Sequence, residues 1–101
     1  MDYSSIDYIV KFACPAVDKS INSQQYKIFL RELRAARRRS GVTQVDLAAK
    51  IGETQSFVSK CERGERRLDV IELRAFCKVF GVSFSAFALT LDSALSDSKK
   101  S

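Results

Sequence analysis

The chain has 101 residues, which gives room for one small domain and one core, since single domains commonly occupy about 100–150 residues. Its composition, 46% hydrophobic and 29% charged with seven Phe and three Tyr, is too apolar for a disordered chain. Its net charge of +5 suits an anionic partner, nucleic acid or a membrane surface, and the absence of histidine excludes His-based acid/base catalysis, the Ser-His-Asp arrangement and mixed Cys/His zinc sites.

Residues 1–22 admit two readings. Ile6, Tyr8, Val10 and Phe12 alternate like a strand face, whereas Ile6, Ile9, Val10 and Ala13 suit a helical turn, and Pro15 ends either version. A lone strand must pair with something, and the same segment of a second subunit is the nearest partner; otherwise the segment is an arm packed loosely on the core. Residues 23–40 then place Tyr26, Phe29, Leu30 and Leu33 at helical spacing. Asn22 and Gln25 stand in capping-box register ahead of them, and Gly41 suits a left-handed stop.

Thr43, with Asp46 three residues on, opens a second helix of about two turns that carries Leu47, Ala48 and Ile51 inward and ends before Gly52. Thr54 caps a third helix running to Arg63. Val58 and Cys61 form its inner face, while Gln55, Ser56, Ser59 and Lys60 are left polar and outward. Gly64 ends it, and after the polar loop from Glu65 to Leu68, Asp69 and Glu72 form another capping box, with Leu68 and Leu73 at the positions of a hydrophobic staple. The fourth helix carries Val70, Leu73, Cys77 and Phe80 on one face and stops at Gly81. Ser83 caps a fifth bearing Phe84, Phe87, Ala88 and Leu91, and residues 92–101 read as a flexible tail.

Cys14, Cys61 and Cys77 are odd in number and show no C-x-x-C pairing, so they are expected to be reduced thiols of a cytoplasmic protein, without a metal site. No apolar stretch approaches the roughly 18 residues that span a bilayer, and Asp2 and Asp7 stand where a secretory signal needs positive charge. No cofactor, membrane or catalytic role is expected, since no nucleophile–base pair is visible. The positive charge belongs to residues 23–81, which hold 13 basic and 7 acidic side chains. It gathers at Arg31 to Arg39, before the two short helices, and at Lys60 to Arg67, at the end of the second and just after it. Those helices, joined by a glycine turn, small where they cross at Ala48 and polar on the outer face of the second, meet the steric demands of a helix-turn-helix over residues 44–63.

The runs R-x-x-x-G-V-T-Q-x-x-L-A (Arg37 to Ala48), Q-S-F-V-S-K-C-E-R-G-E-R (Gln55 to Arg66) and L-D-V-x-E-L (Leu68 to Leu73) resemble the Cro/CI-type, or XRE-type, helix-turn-helix family. The resemblance implies an all-α, compact five-helix, lambda-repressor-like domain over residues 23–91, behind an N-terminal extension of residues 1–22. It further implies a bacterial or phage transcriptional regulator that binds double-stranded operator DNA as a homodimer.

Position by position, the third helix is the implied recognition helix, lying in the major groove. Gln55 has the donor and acceptor that pair with adenine, Ser56 bonds several bases, Lys60 reaches guanine, and Ser59 is a weaker reader. Phe57 has the chemistry to meet a thymine methyl or a sugar, but packing against the first helix is the favoured use, and it is not ranked with the readers. Gln44 matches the position that grips a phosphate at a helix N-terminus. Thr43 and Thr54 are caps with phosphate contact as a second role, and Arg63, Arg66 and Arg67 reach the neighbouring backbone. Arg37 and Glu62 match a structural salt bridge. Phe84, Phe87 and Leu91 are the candidate dimer surface. The competing expectation is an antitoxin or other protein-binding module whose protein partner sits on residues 1–22, with DNA binding as autoregulation.

Overall fold

The computed structural model describes the backbone of residues 19–100 and the side chains of residues 24–97. The strand and helix readings of residues 6–13 lie outside that range, as do the arm and Cys14. The described residues form five helices, α1 (Lys19–Arg39), α2 (Gln44–Ile51), α3 (Gln55–Arg63), α4 (Val70–Phe80) and α5 (Phe84–Lys100), and no strand. This is the expected all-α architecture.

All four turns between helices end in a side-chain cap expected from the sequence. Thr43 Oγ1 accepts from Asp46 N at 3.0 Å while Thr43 N donates back to Asp46 Oδ2 at 3.3 Å. Asp69 and Glu72 close the same reciprocal box at 2.7 and 3.0 Å, and Leu68 and Leu73 pack on the core as the staple requires. Thr54 Oγ1 accepts from Phe57 N at 3.1 Å. In the fourth, Ser83 Oγ accepts from Ala86 N at 3.0 Å, opening α5.

The outer ends of the bundle differ from expectation. Asn22, read as a cap, lies inside α1, which begins at Lys19. A cap must leave helical backbone angles, and no glycine or proline between Pro15 and Gly41 forces that departure. Likewise α5 continues to Lys100 through the segment read as a tail; nothing after Gly81 breaks a helix, and polarity alone does not.

Leu33, Leu47, Val58, Phe76 and Cys77 are fully enclosed, with Ala36, Ala48, Phe80 and Phe87 completing the cluster. Ala48 is buried between α2 and α3 as its size predicts. On α4 the reading needs correction: Val70, expected inward, is 61% exposed, and Phe76, not singled out, is 1% exposed. The inner stripe is Leu73, Phe76, Cys77 and Phe80, an i, i+3, i+4, i+7 set, and at the first turn of α4 the staple residue Leu68 covers the core in place of Val70.

The candidate dimer residues also move. Phe87 is 4% exposed and meets Phe29 edge-on at 6.2 Å between ring centroids, while Phe84 and Leu91 lie half-buried against the same core. A chain of this size has one core to close, and the apolar stripe of α5 closes it over α1. These side chains therefore stabilise the single chain.

The turn after α3 predicts a graded pair of effects. Gly64 has φ +82, and a Cβ there would stand 3.1 Å from Leu30 Cδ1, whereas Gly52 has φ +73 and open space around its Cβ position. Left-handed backbone alone costs an L-residue roughly 1–2 kcal/mol. Gly52→Ala should lose about that much and Gly64→Ala more, as read by chemical denaturation; equal losses would mean that Leu30 yields freely.

Candidate nucleic-acid interface

On α3, Val58, Cys61 and Glu62 face inward, Gln55, Ser56, Lys60 and Arg63 are exposed, and Ser59 and Phe57 are half-buried. The four expected base readers thus share one side of one helix. Burial of the nine-residue helix on its other side holds that strip in place. Phe57 resolves toward packing, since it lies against the core with the Arg66 guanidinium 4.5 Å above its ring.

Glu62 is the organising group behind the strip. Although 2% exposed, its carboxylate accepts from Arg37 Nε at 2.6 Å, from Arg37 Nη2 at 3.2 Å and from Gln44 Nε2 at 3.0 Å. Its backbone carbonyl accepts from Arg34 Nη1 at 2.8 Å, and Arg37 Nη1 reaches Val42 O at 3.0 Å. One buried acid therefore ties α1, α2 and α3 together, with the bidentate fork geometry that arginine offers a carboxylate. The expected pairing of Arg37 with Glu62 is present. Gln44, expected at a phosphate, is instead engaged with Glu62 through its side chain, which leaves its backbone N–H in the first turn of α2 for an anion.

The loop between α3 and α4 is held from two sides. Arg66 donates to both carboxylate oxygens of Glu72, at 2.9 and 2.8 Å, while stacking on Phe57. Arg66 and the N–H of Asp69 hold the Glu72 carboxyl below its usual range. Arg67 lies 4.3 Å above the Tyr26 ring, and the Tyr26 hydroxyl accepts from Leu68 N at 3.2 Å. Of the three cations expected at phosphates, Arg66 is therefore committed within the chain, Arg63 is paired with Glu65 at 2.7 Å, and Arg67 has no carboxylate partner among the described residues.

Several of these contacts escape sequence reasoning. Arg34 lies three residues before Arg37 and so shares its helix face, a signal that pointed to α3. Nothing local links Tyr26 to Leu68, 42 residues away. Cys61 and Cys77 are enclosed, and burial pushes both thiols up, as small core residues rather than reactive ones. Among the described residues no group of three His, Cys, Asp or Glu is placed to hold a metal, and no single helix is long and apolar enough to cross a membrane.

Comparisons with known proteins agree with this geometry. The helix-turn-helix family profile matches residues 33–87. Among solved structures, an XRE-family like protein from Pseudomonas syringae pv. tomato str. DC3000 superposes with a TM-score of 0.70 at 45% identity. The match covers 74% of this chain and 92% of that one. No curated protein matches the sequence.

Proposed function

This chain belongs to the XRE-type helix-turn-helix family of DNA-binding transcription regulators, and from that premise we propose that it is a homodimeric, cytoplasmic repressor reading a two-fold symmetric operator. The observation that carries the reading is the strip of Gln55, Ser56 and Lys60, exposed on the outer side of a helix whose inner side is anchored by Val58, Cys61 and Glu62. A polar edge on a fixed helix is what major-groove recognition requires. Two such helices, about 34 Å apart, meet successive grooves. In this reading Lys60 and Gln55 select bases, while the N-termini of α2 and α3, behind Thr43, Gln44 and Thr54, hold phosphates. Arg67, stacked but without a carboxylate partner among the described residues, is the loop cation best placed to add a backbone contact. With Phe84, Phe87 and Leu91 engaged in the core, the dimer contact falls to residues 1–22 and to the outer side of α5, where Leu89 is exposed.

Selection of bound sites from a random duplex pool tests binding, symmetry and half-site spacing together. Gln55→Ala or Lys60→Ala should then relax preference at one position of each half-site and cost about 1–3 kcal/mol on the selected site. Arg67→Ala should weaken selected and random duplexes alike and flatten the salt dependence by about one. Identical behaviour of the two classes would overturn the division between readers and backbone contacts, and a selected site without symmetry would overturn the dimer.

A further inference from the structure

The C-terminal end of α3 carries a polar unit that base reading leaves unexplained. Arg63 donates from Nε to Glu65 Oε2 at 2.7 Å and from Nη1 to Ser59 Oγ one turn back. Arg63 and Glu65 also line a hollow between α1 and α3 with Lys27, Leu30, Arg34 and Glu62. The carboxylate of Glu62 is already held by Arg37 and Gln44. Among the lining residues this leaves Glu65 as the carboxylate paired with Arg63, whose guanidinium, with a smaller pull from Lys60, holds its carboxyl below the usual range.

Resting on the DNA-binding reading above, we propose that Glu65 is a built-in stand-in for a DNA phosphate, occupying Arg63 in the free protein and yielding it to the backbone of a bound duplex. The exchange is feasible because both partners are exposed, and an exposed ion pair is weak. A duplex offers Arg63 phosphates at high density. The released Glu65 then takes up a cation from solution and stands near like charge, which offsets one of the counterions that Arg63 displaces. Glu65 thus lowers affinity for every sequence and makes it less sensitive to salt. Ser59, whose hydroxyl is engaged by Arg63, is in this scheme a positioning residue for that arginine rather than a base reader.

The test is a salt titration of the full chain on a random-sequence duplex, with wild type, Glu65→Gln, Arg63→Gln and the double variant. Glu65→Gln should bind roughly two- to fivefold tighter, the range an exposed pair commands, and its salt slope should steepen by up to about one. In the Arg63→Gln background the same change should do markedly less. A silent Glu65→Gln, or one that acts equally with and without Arg63, would overturn the exchange while wild-type binding left the DNA reading standing. Wild type binding no duplex would overturn that reading and this one with it. Thermal midpoints of the variants, all at exposed positions, should stay close to wild type, so that a change in slope is not a change in folding.

Discussion

Replacing Glu62 with alanine should destabilise the domain by about 3–5 kcal/mol, because it leaves the Arg37 guanidinium buried without its counter-charge. Small domains have only about 5–15 kcal/mol in total, so a sizeable fraction of the variant should be unfolded under mild denaturant. The loss is larger than for a surface pair because Glu62, buried where α1, α2 and α3 meet, receives hydrogen bonds from Arg37 and Gln44. The pair need not be a net source of stability. Arg37→Met with Glu62→Leu removes both charges and fills similar volume, and such replacements are often neutral or favourable. Urea unfolding of wild type, both single variants and the double variant measures the coupling. A single-variant loss below about 1 kcal/mol would show that the buried pair does not lock the three helices. The double variant should also bind DNA less well than its stability implies, because Gln44 loses the partner that holds it across from α3.

The same network shows what was legible in the sequence and why. Boundaries of α2, α3 and α4 follow from contacts within four residues: a threonine or aspartate cap, its return partner in α2 and α4, and a glycine at positive φ. Such signals are local, so a single sequence contains both halves of each. The start of α1 and the end of α5 have no breaker, and an Asn-x-x-Gln pair or a polar tail does not by itself stop a helix that has begun. The polar outer side of α3 was legible from spacing, and the partnership of Arg37 with Glu62 from the family resemblance. Gln44 on Glu62, Arg66 on Glu72 and Phe57, and Arg67 on Tyr26 were not legible. Each joins residues whose approach depends on how the helices cross, and a basic residue in a loop looks alike in sequence whether it meets a phosphate or a carboxylate. The α4 register failed for a related reason. Val70 and Phe76 both extend the apolar stripe, one on each flank, and the way α4 rests on the core buries Phe76 and leaves Val70 exposed.

Phe87→Ala gives the second large effect, about 3–5 kcal/mol, the range for removing a buried aromatic ring. The apolar stripe of α5 admitted two uses, closing the core or pairing with a second copy, and the two uses predict different experiments. A core residue leaves a cavity beside Phe29 in every folded chain, so the loss should be the same at low and high protein concentration. A dimer residue would instead lower the midpoint more at low concentration, since association stabilises by mass action. With 4% exposure and an edge-on contact to Phe29, Phe87 should follow the first pattern. Leu89, on the outer side of the same helix at 73% exposure, should change the stability of the folded chain by no more than about 0.5 kcal/mol on replacement by alanine. If α5 takes part in the dimer, Leu89→Ala should nonetheless raise the dissociation constant in sedimentation. A concentration-dependent loss at Phe87 would return that ring to the interface and leave the core between α1 and α5 to Leu91 and Phe84.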